Sequence, residues 1–163
     1  MKALIFSDSH GHHEGMRQVL KMHRDADVFF FLGDGLKDLS EIEPDFPTVM
    51  FLKVCGNCDW FCGAETEKEA LFTLEGRKIL YMHGHTCGVK GGIGRAILEA
   101  RKQGADAVLF GHTHTPHLEC RTDGDKPLYV FNPGSIGRTY GGVRHFGVLE
   151  VRENGMLFSH GEV

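Results

Sequence analysis

No stretch of this chain is long and apolar enough to cross a bilayer. The apolar part of the opening "MKALIFSDSHG" is too short for a signal peptide or an anchor. No later run approaches the ~20 residues that a membrane helix needs. An even set of cysteines is also missing, since the five are Cys55, Cys58, Cys62, Cys87 and Cys120. An odd count with no secretory leader argues against a disulfide framework and for reduced thiols in the cytoplasm. "CGNC" (Cys55–Cys58) has no second ligand pair at comparable spacing, which leaves a zinc knuckle or a redox CxxC without support. Excess positive charge is absent too: the net charge is −4, so no broad nucleic-acid surface is expected. Repeats, low-complexity tracts and linkers are lacking. The 163 residues therefore read as one domain, 1–163, large enough to bury a core without staples.

What is present is an ordinary globular composition, 41% hydrophobic and 25% charged, with two unusual counts: 22 glycines and 11 histidines. Glycine suits tight turns and loops that approach a ligand closely. The histidines hint at metal or proton chemistry.

Hydrophobic patterning predicts alternating strands and helices. "KALIFS" (Lys2–Ser7) and "DAVLFG" (Asp106–Gly111) read as strands. "DVFFFLG" (Asp27–Gly33) and "TVMFLKVCG" (Thr48–Gly56) are continuous apolar runs, the mark of strands buried on both faces. "HEGMRQVLKMHR" (His13–Arg24) and "GIGRAILEARKQG" (Gly92–Gly104) read as helices. "ALFTLEGRKILYMHG" (Ala70–Gly84) reads as a hairpin turning at Glu75-Gly76, and from His117 onward short strands are broken by turns. The pattern is α/β with a mostly antiparallel later part.

Five of the predicted strands finish in the same way. "LIFSDSHG" delivers Asp8 and His10, "FFFLGDG" Asp34, "FLKVCGNCD" Asn57, "ILYMHGH" His83 and His85, and "VLFGHTH" His112 and His114. Sites in α/β sheets form beyond the carboxyl ends of strands, so these groups can converge although over a hundred residues separate them. Each has a bland reading when taken singly: Asp8 as a helix cap, Asp34 and Asn57 as turn residues, His83 as a satisfied core histidine. Recurrence at five strand ends argues for a shared centre. Apart from His85, the set is two carboxylates, an amide and four imidazoles, which suit Mn²⁺, Fe, Zn²⁺ or Ni²⁺ better than Ca²⁺.

The ordered set "DSH" at Asp8, "GDG" at Gly33, "GNCD" at Gly56, "HGH" at His83 and "GHTH" at Gly111 resembles the calcineurin-like metallophosphoesterase superfamily. "NPGS" at Asn132 is typical of its small single-domain prokaryotic branch, with YfcE-like phosphodiesterases. The resemblance implies two mixed β-sheets packed face to face and flanked by helices, an αββα sandwich. It implies that Asp8, His10 and His114 hold one divalent ion, that Asn57, His83 and His112 hold a second, and that Asp34 bridges them. Mn²⁺ is the first choice, with Ni²⁺, Zn²⁺ or Fe as alternatives. A hydroxide between the ions would attack phosphorus in line, and Asn57, His83 and His85 would serve catalysis. The implied substrate is a small phosphate ester; a homo-oligomer stays open.

The chain departs from many relatives at Cys58, where they carry histidine, which puts leaving-group protonation in doubt. Cys58, His12 and Arg138 are candidate substrate contacts. "KGGIG" (Lys90–Gly94) lacks the P-loop pattern but could still cradle phosphate. His23, His117, His145 and His160 read as structural or exposed. The competing function is a non-catalytic protein-interaction scaffold, like the phosphoesterase-like subunit of the retromer coat.

Overall fold

The computed structural model describes residues 1–60, 62, 66–137 and 142–163. The chain opens with strand β1 (Lys2–Phe6), helix α1 (Glu14–Met22) and strand β2 (Val28–Phe31). Helix α2 (Leu36–Ile42), a 3-10 turn (Glu43–Asp45) and strand β3 (Met50–Lys53) come next. Then follow β4 (Glu69–Leu74), β5 (Arg77–Met82), helix α3 (Gly94–Lys102), β6 (Ala107–Leu109), β7 (His117–Arg121) and β8 (Leu128–Asn132). Two long strands, β9 (His145–Arg152) and β10 (Gly155–Glu162), close the fold.

The strands form two five-stranded sheets, in the orders β10-β9-β1-β2-β3 and β4-β5-β6-β8-β7. Both are mixed. β1, β2 and β3 run parallel in the first, and β5, β6 and β8 in the second, with antiparallel strands toward the edges.

Period-two alternation sorts each strand between two layers. Ala3, Ile5, Val28 and Phe30 point into a core shared with Ile79, Tyr81, Ala107, Leu109 and Phe131 of the other sheet. Their neighbours Leu4, Phe6, Phe29 and Phe31 point the opposite way, onto Met16, Val19, Leu20, Leu39 and Ile42 of α1 and α2. On the second sheet Leu80, Met82 and Val108 pack under Ala96 and Ala100 of α3. Helices, sheet, sheet and helix thus stack as four layers, the expected αββα sandwich. Burying one large apolar side chain is worth about 1.5–3 kcal/mol, so the three apolar cores between these layers are a large favourable term in folding.

Three local readings need correction. β3 is an edge strand with exposed ends, Met50 and Lys53, although its sequence reads as buried on both faces. Its outer neighbour is solvent, and composition alone does not say which strand lies last. The later part of the chain is less antiparallel than expected, because β8 pairs in parallel with β6. Helix α2 escaped prediction: it is seven residues long, starts at a glycine of φ 149° and runs into Pro44. The hairpin turn lies at Glu75-Gly76 as predicted, both with positive φ, 48° and 76°. Among the described residues no helix is long and apolar enough to cross a membrane.

The thiols also differ from expectation. Cys55 and Cys62 form a disulfide with a Cα separation of 6.2 Å, within the usual range. The chain after β3 folds back so that the Cys62 N–H reaches the Asp59 carbonyl, which brings the two cysteines together. Cys58, Cys87 and Cys120 are free. Reduced thiols, one of the grounds for a cytoplasmic location, therefore do not hold for this pair.

Candidate metal centre

The carboxyl ends of β1, β2 and β3 in one sheet and of β5 and β6 in the other converge, and their loops are stitched together. The Asp8 N–H donates to Gly33 O at 2.9 Å, the His10 N–H to Asp34 O at 3.2 Å, and the Gly111 N–H to His83 O at 3.1 Å. Asp8 and His83 are fully buried, and Asp34 nearly so.

Two donor groups result: Asp8 with His10 and His114, and Asp34 with His83 and His112. In the first, the His114 Nε2 lies 3.1 Å from Asp8 Oδ1 and 3.3 Å from the His10 Nε2. In the second, the His83 Nε2 lies 3.1 Å from both Asn57 Oδ1 and the His112 Nδ1, and 3.4 Å from Asp34 Oδ2. The same Asp34 Oδ2 is 3.9 Å from the His10 Nε2. Cys58 Sγ joins His10 and Asp34 in a third such grouping.

Five of these ligand-type residues sit in the left-handed backbone region: Asp8, His10, Asp34, His112 and His114, with φ between 46° and 66°. That conformation is uncommon for residues other than glycine. Its concentration here marks a site whose side chains are aimed at a cost to local stability. Close approach does the rest. A Cβ on Gly56 would run into the Asp34 carboxylate, and one on Gly111 into Ser7 and Asp8.

The residues fit divalent cations. Asp8 Oδ1 is buried without a hydrogen-bond donor, while Oδ2 accepts the His112 N–H at 3.0 Å. Asp34 Oδ1 accepts the Cys58 N–H at 2.7 Å, which leaves Oδ2 toward the imidazoles. The His83 Nδ1–H donates to Leu32 O at 2.7 Å, so its Nε2 lone pair faces the centre. The electrostatics ask for positive charge. Burial disfavours a charged His83, yet the Asp34 and Asp8 carboxylates raise its pKa. Burial likewise works against the Asp34 carboxylate, but His83 and the Cys58 N–H hold it well below the usual carboxylate range. Burial, the charge of His83 and that of Lys90 push His112 down to about 4, the neutral form a metal ligand needs.

The family model for the calcineurin-like phosphoesterase superfamily domain matches residues 1–154. The chain belongs to that superfamily. It is 37% identical over 138 residues to the probable metallophosphoesterase YsnB of Bacillus subtilis, covering 83% of this chain and 75% of that one. Its fold matches that of a novel archaeal phosphodiesterase at a TM-score of 0.77, with 22% identity and 100% of both chains covered. Vps29 from Entamoeba histolytica, complexed with Zn²⁺, matches at 0.72, with 20% identity and 99% of each chain covered.

Around the donor groups, His85 stands with its ring 5.3 Å from that of His83, and its buried Nδ1 has no hydrogen-bond partner. His12 is exposed and its N–H bonds Ser9 O. Arg138 lies outside the described residues. Several residues escaped sequence reasoning. The Asp59 carboxylate accepts the N–H groups of Asp34, Gly35, Leu36 and Gly56 at 2.8–2.9 Å, clamping the β2 and β3 loops together. Asp38 accepts from Ser9 Oγ and the Gly11 N–H, at 2.5 and 2.7 Å. Asn132 Nδ2 donates to Gly111 O and Thr113 Oγ1, both at 3.0 Å, and Ser135 Oγ donates to Asp8 O at 2.8 Å. The "NPGS" stretch thus supports the turns that carry the donor residues. The aspartate in "GNCD" and the asparagine and serine in "NPGS" were visible signals without a visible role.

Proposed function

We propose that the protein is a metal-dependent phosphodiesterase, a single domain over residues 1–163, which binds two divalent ions and cleaves a small phosphate ester by in-line attack of water on phosphorus. Mn²⁺ is the first choice, with Ni²⁺, Zn²⁺ or Fe as alternatives. The observation that carries this reading is the place of Asp34, whose Oδ2 lies 3.4 Å from the His83 Nε2 and 3.9 Å from the His10 Nε2. One carboxylate borders both donor groups, as a bridging ligand must.

Asp8, His10 and His114 would hold one ion, Asn57, His83 and His112 the other, and Asp34 both. Divalent ions held there supply the charge stabilisation and the acidified water that an intrinsically very slow hydrolysis needs. The chain itself does the orienting. Backbone N–H groups pin one oxygen of Asp8 and one of Asp34, which turns the other oxygen inward. The Asp59 clamp keeps the Asn57 loop against the Asp34 loop. His85 and Cys58 stand beside the donors, where a substrate's departing oxygen would leave.

The test is purified protein with added Mn²⁺ and bis(4-nitrophenyl) phosphate. Expected are nitrophenolate release that stops with a chelator and returns with metal, and two ions per chain by elemental analysis. Absence of hydrolysis with each of Mn²⁺, Ni²⁺, Zn²⁺ and Fe²⁺ would overturn the reading. It would favour the second one, a non-catalytic scaffold, for which the shared fold of Vps29 is the supporting observation. The seven intact donor residues favour catalysis.

A further inference from the structure

We propose that Lys37 is a specificity residue of this site: its ammonium binds a second anionic group on the substrate, separate from the ester that is cleaved. The inference rests on the phosphodiesterase reading above. Beside the donor groups lies an open cleft of about 440 Å³, lined by His10, Asp34 and Cys58 together with His13, Lys37 and Glu41. Small-molecule sites run from roughly 300 to 1,000 Å³, so the cleft has room for a whole small ligand and not only for a phosphoryl group.

Among the described residues Lys37 is the only lysine or arginine that lines the cleft. Among the described residues its ammonium has no hydrogen bond or ion pair, whereas the other ionisable groups facing it are engaged. The His13 Nε2 lies 3.1 Å from Glu14 and its Nδ1 3.4 Å from Glu41. Asp38 accepts from Ser9 and Gly11. Glu41 stands four residues after Lys37, the spacing of a helical ion pair, yet it turns to His13 instead. Stability does not explain the lysine either. It is the second residue of α2, in the first turn, where the aligned peptide dipoles disfavour a cation. Lys37 is exposed, so its ammonium is free to take an anion that enters the cleft. The ions held at Asp34 and His10 would take the oxygens of the scissile phosphoryl group. The anion facing Lys37 is therefore another group of the same molecule, a phosphate or carboxylate. The substrate class that follows is a phosphodiester with a second anionic substituent, as in a nucleotide with a further phosphate.

Two chromogenic probes that differ in one phosphate test this: the 4-nitrophenyl ester of thymidine 5′-phosphate, and the same ester with a 3′-phosphate. With the Mn²⁺-loaded protein, the 3′-phosphate should lower KM about two- to fivefold, the size of effect that an exposed ion pair gives. In Lys37→Gln the ratio of the two KM values should fall to about one. Lys37→Arg should restore it, and Lys37→Glu should reverse it. A wild-type ratio near one, or a ratio unchanged in Lys37→Gln, overturns the proposal while hydrolysis itself upholds the phosphodiesterase reading. If neither probe is cleaved, hydrolysis of bis(4-nitrophenyl) phosphate decides that reading. Calorimetric binding of thymidine 3′,5′-bisphosphate against thymidine 5′-phosphate, to wild type and Lys37→Gln, then decides the role of Lys37 on the same ratio.

Discussion

The His83 Nδ1–H meets the Leu32 carbonyl oxygen at 2.7 Å, tying the end of β5 in one sheet to the end of β2 in the other. This bond joins folding to function, because it fixes the ring tautomer that presents Nε2 to Asp34, Asn57 and His112. His83→Ala should therefore fail twice. Leaving a buried carbonyl unpaired costs about 1–3 kcal/mol, read by chemical denaturation. Elemental analysis should show at least one ion lost per chain. A variant with unchanged stability and full metal content would contradict both roles.

Asp34→Asn removes the charge but keeps the shape. It should lose much of the metal and nearly all hydrolysis, measured as ions per chain and rate with bis(4-nitrophenyl) phosphate. Full activity with two ions bound would rule out a bridging Asp34.

His112 and His114 leave the same strand end, but His112 stands against His83 and His114 against His10 and Asp8. His112→Ala and His114→Ala should each cut activity by a factor of about 100 or more, since losing even a partner that only orients a metal ligand costs about 10–100-fold. Excess Mn²⁺ should rescue part of it. Titration of the ions should show that each variant weakens a different one; weakening of the same ion in both would refute the division.

Cys58 stands where an imidazole would be a competent acid. Partial burial and the Asp34 carboxylate push its thiol up to about 11, far from the pH at which a general acid works best. Hydrolysis should therefore favour esters with acidic leaving groups and fall steeply for alkyl ones. Cys58→His should flatten the plot of log rate against leaving-group pKa. Equal slopes for wild type and variant would show that protons come from elsewhere, His85 being the next candidate.

Away from the centre, Asp106 pins the start of β6. Its carboxylate accepts the Lys78 N–H at 2.8 Å and the Lys126 ammonium at 2.6 Å. Burial works against the charged form, but Lys126 and the Lys78 N–H outweigh it and lower the pKa. A lowered carboxyl pKa stabilises the fold above the unfolded value of about 3.9, and the benefit is lost as pH falls through the folded value. Asp106→Asn should melt below wild type at pH 7, and the gap should narrow as the pH falls below about 4 and on through the lowered folded value. A gap of constant width across that range would show that the charge contributes nothing.

The legible part of the site was local. "GDG" and "GHTH" announce a strand ending in a ligand-type residue, because an apolar run and the polar residue after it are neighbours in the chain. Asp59 was equally visible as a letter, but its four N–H partners come from two loops, and Asn132 supports a turn some twenty residues away. Nothing in the spacing of residues records such contacts.

By itself the sequence determined the layers and the ligand types. Period-two alternation in "ALIF" and "VFFF" sends each side chain to one of two apolar cores, whatever the neighbouring strands are. Only the tertiary structure decided that β3 lies at an edge, that Cys55 closes onto Cys62, and that Lys37 lines the cleft with no partner among the described residues. The physical reason is the same in each case. Alternation and turn chemistry act over a few residues, whereas edges, cross-links and unpaired charges depend on which distant segments come to lie side by side.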